Sequence, residues 1–153
     1  MLRRDAFDNA EYVYELKMDG FRALAHVEGD STRLVSRRGN VYRSFQRLYA
    51  AIQAELKCEA ILDGEIVCLD SEGRPQFYDL LCRRGQPVLY VFDLLWLDGK
   101  DLRERPLVER KRLLRSVVPE QSACLLYADH VEQHGVEMFR WACDQDLEGV
   151  VAK

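Results

Sequence analysis

The sequence predicts an α+β fold, with antiparallel sheets and flanking helices. Three observations lead there. Three β-favouring stretches follow one another within the first 36 residues, separated by breaks too short for the crossovers that parallel strands need. Apolar residues then recur at helical spacing in separate later blocks. Finally, strands and helices do not alternate as a regular doubly wound series.

The elements follow in order. Residues 1–10 lack periodicity and read as a lead-in. Residues 11–17 alternate and carry Tyr12, Val13 and Tyr14, which suits a strand that Gly20 ends. Residues 21–28 give a second strand, Gly29-Asp30 a turn, and residues 32–36 a third, short strand, the three forming a meander. Ser44 is positioned to cap a helix in which Phe45, Leu48, Ile52 and Leu56 share one face. Residues 60–69 read as a strand interrupted by Gly64, and 71–75 as a loop. A short helix at 77–82 precedes the most apolar stretch, a central strand at 88–97 closed by the Asp98-Gly99 turn. Residues 107–117 form a helix with a basic face that Pro119 stops. A strand at 123–128, a helix at 136–143 and a strand at 148–152 complete the chain.

Length and composition bound the function. A chain of 153 residues suggests one domain. The net charge of −4 argues against wholesale binding of nucleic acid, while leaving room for a local basic groove. The five cysteines are scattered, with no C-x-x-C pair, which fits reduced thiols in a cytoplasmic protein. No apolar run spans a bilayer, so no membrane partner is expected. The start, Met1-Leu2-Arg3-Arg4, leads into Asp5 and not into a signal core.

Four stretches carry chemistry. In Glu15-Leu16-Lys17-Met18-Asp19-Gly20-Phe21-Arg22, strand parity puts Glu15 and Lys17 on one face, about 7 Å apart. A solvent-facing row of charges is the ordinary reading; a nucleophilic lysine is the sharper one. An unperturbed lysine titrates near ~10.4, so a nucleophile needs help to lose its proton. Carboxylates alone oppose that, which points to a metal or a second basic group beside Lys17. In Leu62-Asp63-Gly64-Glu65-Ile66, Asp63 and Glu65 share a face and Gly64 admits a close approach. Alone, this reads as a half-buried strand; functionally, paired acids suit hydroxyl recognition or metal work. Tyr90, Phe92, Leu94 and Trp96 form an alternating stripe, by default core packing, or a purine-stacking platform with Phe92 as its best candidate. Glu148-Gly149-Val150-Val151-Ala152-Lys153 places an acid before a glycine and an apolar run.

In this order the four stretches resemble the motifs of the covalent nucleotidyltransferases, most of all the adenylation domain of ATP-dependent DNA ligases. Ser36-Arg37-Arg38-Gly39 resembles a further segment of that family. Residues 92–99, followed by Arg105-Pro106-Leu107 and Glu109-Arg110, resemble its DNA-ligase version, with the ligase module of bacterial end-joining enzymes nearest in character. The resemblance runs from about Phe7 to Lys153. It implies an ATP-grasp-like nucleotidyltransferase fold, ATP as co-substrate with AMP held covalently, Mg²⁺ or Mn²⁺, and nicked or broken double-stranded DNA as partner, and it leaves end-joining partner proteins unspecified.

The resemblance also implies roles. Lys17 takes AMP from ATP. Glu15 lies by the adenine and Phe92 stacks on it. Glu65 holds a ribose hydroxyl, Arg22 follows the ribose and phosphate path, and Lys153 faces the phosphates. Asp19, Asp63 and Glu148 are the metal-associated acids. Arg37 meets the 5′-phosphate of the DNA break, which suits its planar fork. The family's further lysine motif and its oligonucleotide-binding barrel lie beyond Lys153, so residues 1–153 read as a partial adenylation domain. Two alternatives stay open: a catalytically incomplete remnant that binds nucleotide or DNA ends, and an RNA ligase or capping-type enzyme. His130 and His134 lack the order of a zinc peptidase motif and are read as non-metal residues. Arg110, Lys111, Arg112 and Arg115 read as a solvated helix face in preference to a DNA-facing strip.

Overall fold

The computed structural model of the protein describes residues 5–153. In chain order the elements are β1 (Val13–Leu16), β2 (Phe21–Glu28), β3 (Ser31–Ser36), α1 (Gln46–Glu55), β4 (Ala60–Cys68), α2 (Phe77–Leu81) and β5 (Pro87–Leu97). They continue with β6 (Lys100–Asp101), α3 (Leu107–Val117), β7 (Leu125–Tyr127), β8 (His130–Glu132), α4 (Gly135–Asp144) and β9 (Val150–Ala152). Two compact units result. One joins Met1–Asp19 to Ala128–Lys153, and the other is Gly20–Tyr127. Among the described residues no helix is long and apolar enough to cross a membrane.

The larger unit is a six-stranded sheet in the order β3-β2-β4-β5-β6, with β7 also paired to β5. All of its pairs are antiparallel except β5–β7. One face of the sheet carries Ala23, Ala25 and Val27 of β2, Leu62 and Ile66 of β4, and Leu89, Val91 and Leu94 of β5, all buried. Against them pack Leu48 and Ile52 of α1 and Leu114 of α3, which join one core cluster. Gly64 lies inside β4, and the strand runs through it without interruption. A Cβ there would sit 2.6 Å from the Tyr90 carbonyl oxygen, so the close β4–β5 approach requires glycine. Asp98 and Gly99 take φ of 44° and 82°, the two left-handed residues of a type I′ hairpin. The turn therefore returns the chain as β6, a strand too short to show in sequence.

The smaller unit is a three-stranded antiparallel sheet, β8-β1-β9, with α4 packed on it. The expected meander of the first three strands is thus corrected: β2 and β3 pair, but β1 is flanked by β8 and β9. Gly20 opens the larger unit along the chain, and a Cβ there would collide with the Ile66 carbonyl oxygen of β4. β1 is shorter than its alternation suggests because Asn9 folds the preceding residues. Its side chain accepts a bond from the Glu11 amide (2.8 Å), and its carbonyl accepts one from the Tyr12 amide (3.2 Å). The lead-in is anchored as well. The Phe7 ring meets Tyr12 and Tyr14 edge-on, with centroids 5.5 and 5.7 Å away.

Two further expectations change. Phe45, not Ser44, is the N-cap of α1, and no side chain bonds across that end. The stripe of Tyr90, Phe92, Leu94 and Trp96 does not share one face. The β4–β5 register shifts twice, pairing Gly64 with Val91, Asp63 with Asp93 and Leu62 with Leu94. Phe92 and Leu95 are the residues passed over. The resulting bulges turn Leu94 into the core beside Val91 while Phe92 stays half-exposed.

Candidate active site

Each unit carries its own group of the residues singled out by sequence. In the smaller unit, β1 delivers Glu15 and, one step past its end, Lys17. The Lys17 amide donates to the Gly149 carbonyl (2.9 Å), which continues the pairing with β9 beyond both strands. Alternation along residues 148–153 places Glu148 on the face opposite Lys153 and Val151. Gly149 breaks that parity: its φ of 146° belongs to a region almost closed to side-chain-bearing residues. Glu148 consequently reaches the Lys17 side of the sheet, and the Lys17 Nζ donates to its Oε1. Both side chains keep more than two-fifths of their surface in solvent.

Glu15, unlike Lys17 and Glu148, is buried, being 2% exposed. Lys153 continues the β1–β9 pairing through Val13, its amide and carbonyl bonding that residue at 2.9 and 3.0 Å. This sets Lys153 diagonally across from Glu15, and its Nζ donates to Glu15 Oε2 at 2.7 Å. The structure thus joins two residues that the sequence reading assigned to opposite ends of a nucleotide, base and phosphate. A pocket of about 770 Å³ opens on this unit, lined among others by Tyr14, Lys17, Phe139, Glu148 and Gly149. Tyr14, a core residue 2% exposed, and the half-buried Phe139 line this pocket without having been singled out as site residues in the sequence.

Gly149 gives a direct prediction. Gly149→Ala should lower stability by about 1–3 kcal/mol, the usual cost of forcing a side chain into such a conformation. It should also weaken the Lys17–Glu148 pair. Chemical denaturation measures the first effect, and the lysine Nζ chemical shift reports the second.

In the larger unit, the β2–β4 and β4–β5 registers set Arg22, Glu65 and Tyr90 side by side across three strands. Arg22 grips Asp63 with two bonds, Nε to Oδ1 at 3.1 Å and Nη2 to Oδ2 at 2.7 Å. The Asp63 hydrogen bond holds the guanidinium above its ordinary pKa against the opposing effect of burial. The same guanidinium lies 5.3 Å from the centre of the Phe92 ring. Arg37 is exposed on the tight turn after β3, where the Gly39 amide closes onto the Ser36 carbonyl (2.8 Å). Tyr90, beside Glu65, is the residue here that sequence reading took only as part of a stripe.

The acids read as metal-associated divide between the units: Asp19 and Glu148 in the smaller, Asp63 in the larger, where it is bound to Arg22. Among the described residues no group of three or more His, Cys, Asp or Glu side chains could hold a metal ion. Mg²⁺ does not require such a group, because it binds through one or two carboxylates plus substrate phosphates. Glu148, exposed at the pocket, fits that description. His130 lies in β8 opposite Glu15, and His134 caps α4. The basic face of α3 is solvated only in part: Arg112 and Arg115 are exposed as expected, but the other two cations are not. Lys111 is fully buried, and Arg110 is paired to Asp93.

Comparison with known proteins shows the family. A family model described as "ATP dependent DNA ligase domain" matches residues 4–153. The chain belongs to that family. It is 35% identical over 150 residues to the multifunctional non-homologous end joining protein LigD of Pseudomonas aeruginosa, covering 94% of this chain and 18% of that one. It is 33% identical over 153 residues to a DNA ligase of Natronomonas pharaonis, covering 91% of this chain and 28% of that protein. Among solved structures, mycobacterial DNA ligase D complexed with ATP and MES superposes with a TM-score of 0.84 at 29% identity, covering 96% of this chain and 49% of that one. The ligase domain of LigD from M. tuberculosis superposes equally well. The α+β architecture expected from sequence is therefore the nucleotidyltransferase fold of these ligases. The chain spans from about a fifth to about half the length of these relatives.

Proposed function

We propose that this chain carries the adenylation chemistry of an ATP-dependent DNA ligase, with residues 1–153 as part of one adenylation domain. The observation that carries this is Lys17, held by Glu148 at the edge of a pocket large enough for a nucleotide, in a chain of the ligase family. The Lys17 Nζ bonds to the α-phosphorus of ATP, the bond to the bridging oxygen breaks, and pyrophosphate leaves. The AMP then passes to the 5′-phosphate of a DNA break, freeing Lys17. A neighbouring 3′-hydroxyl attacks that phosphate and expels AMP, so the strand is sealed.

The residues of this chain do the positioning. Glu148 fixes the direction of the Lys17 amine. Glu15 reads the base edge, and the Phe92 ring stacks on the base. Glu65 accepts from a ribose hydroxyl. Arg22, oriented by Asp63, runs along the ribose and phosphate. Lys153 faces the phosphates from its seat on Glu15, and Arg37 takes the 5′-phosphate of the DNA. Glu148, with Asp19 two residues after Lys17, would hold Mg²⁺ or Mn²⁺, which when bound neutralises phosphate charge. The likeness to an end-joining protein supports double-stranded breaks as well as nicks as substrate, and a cytoplasmic setting.

The test is label transfer from nucleotide to protein. ATP labelled at the α-phosphate should label the chain covalently and GTP should not. Labelling by GTP alone would move the assignment to the capping enzymes.

A further inference from the structure

Phe92 owes its position to a bulge, and α3 reaches that bulge with two adjacent cations. Lys111 is 0% exposed, and its Nζ points at the Phe92 carbonyl oxygen, 3.4 Å away. The same ammonium lies 5.0 Å from the centre of the Tyr127 ring on the neighbouring strand β7, a ring that Arg115 also covers at 5.0 Å. Arg110 takes the next residue of β5. Its Nε and Nη2 donate to the two carboxylate oxygens of Asp93 at 2.8 and 2.9 Å. Asp93 Oδ1 in turn accepts from the Leu94 amide at 2.8 Å. Arg110 and Asp93 are both about 85% removed from solvent.

A fully buried lysine is uncommon, because taking an ammonium out of water is unfavourable unless its partners compensate. A main-chain carbonyl at a bulge and an aromatic face contribute to that compensation here. Core packing alone would be served as well by an apolar residue at this position. The two cations act on the C-terminal side of the residue that the sheet register passes over: Lys111 on the Phe92 carbonyl itself, Arg110 on the Asp93 side chain that accepts from the Leu94 amide. A bulge re-aims the side chain it carries, and fixing the peptide that leaves it restrains that aim.

We propose that Arg110 and Lys111 are positioning residues for Phe92: they lock the β5 bulge and so set the angle at which the ring meets the base of the bound nucleotide. This rests on the reading of Phe92 as the base-stacking group. The lock acts on nucleotide affinity and not on the attack by Lys17. Arg22, on the sheet next to the ring, and the bulge lock beneath it then confine Phe92 from two directions.

The test is a double-mutant cycle on covalent self-labelling, with the concentration dependence on ATP separated from the rate at saturation. Phe92→Ala should raise the ATP concentration needed for half-maximal rate about tenfold, within the range of base–aromatic stacking. Lys111→Met, which keeps the volume, should raise it by a similar factor and change the saturated rate less than about twofold. Combined with Phe92→Ala, it should add nothing further. Arg110→Lys, which keeps the charge but loses the fork, carries the same test if the methionine variant does not fold. Independent, additive effects of Lys111→Met in the Phe92→Ala background would overturn the positioning role while leaving the stacking role intact. An unchanged half-maximal concentration in Phe92→Ala alone would remove the stacking role, and this proposal with it.

Discussion

Lys17→Ala and Lys17→Arg should each take covalent labelling from α-labelled ATP to background, a loss of at least about a thousandfold. The mechanism forms its only covalent bond to the enzyme at that nitrogen, so no partial activity is available to either variant. Arginine keeps the charge and most of the length, but it stays protonated at any working pH and offers no lone pair. Glu148→Gln should behave differently. It keeps the size of the side chain and a hydrogen-bond acceptor for Lys17 but removes the charge that pairs with the ammonium. Labelling should fall by about ten- to a hundredfold and not vanish, since positioning groups contribute in steps of this order. The two results together separate the attacking group from the group that directs it. Time courses of label incorporation at saturating ATP measure both.

The second large effect concerns stability. Lys153→Met should lower unfolding free energy by about 3 kcal/mol, because it removes a compensating charge from the buried Glu15 carboxylate. Glu15→Gln in the Lys153→Met background should recover much of that loss, since the amide is far less costly to bury than the carboxylate. Denaturant midpoints of the two single variants and the double variant give the coupling directly. A surface ion pair would show less than about 1 kcal/mol in the same cycle. The pairing also bears on function. Lys153 is held on Glu15, so its proposed contribution to phosphate binding would depend on an acid that is itself proposed to read the base.

Much of this arrangement was legible in the sequence, and the reasons are specific. The helix at residues 107–117 was read with its bounds as they stand, because its apolar spacing is regular and Pro119 closes it. The strands β2, β3 and β4 were placed within one or two residues, since each is an alternating run bounded by turn residues. Lys17, Glu148 and Asp63 stood out as charged groups near glycines, and the structure pairs Lys17 with Glu148 and Asp63 with Arg22. The misplaced features depend on information that periodicity does not carry. β1 alternates like any strand, and nothing local says that its neighbours are β8 and β9, more than a hundred residues away. β6 and β8, of two and three residues, are too short to produce a period. The bulges in β5 defeat alternation itself, because one extra residue moves every later side chain to the other face. Lys111 was misread for a related reason. A lysine on a helix is solvated by default, and partners such as the carbonyl at the Phe92 bulge and the Tyr127 ring come from strands that the local sequence does not reveal.

The central claim is that Lys17 is the nucleotidyl acceptor, and peptide mapping tests it most directly. The chain is incubated with ATP labelled at the α-phosphate, denatured, digested and analysed by mass spectrometry. The account predicts AMP on one peptide, attached through the Nζ of Lys17, with free pyrophosphate in equal amount. AMP carried on Lys153, on Lys111 or on any residue other than Lys17 would contradict it.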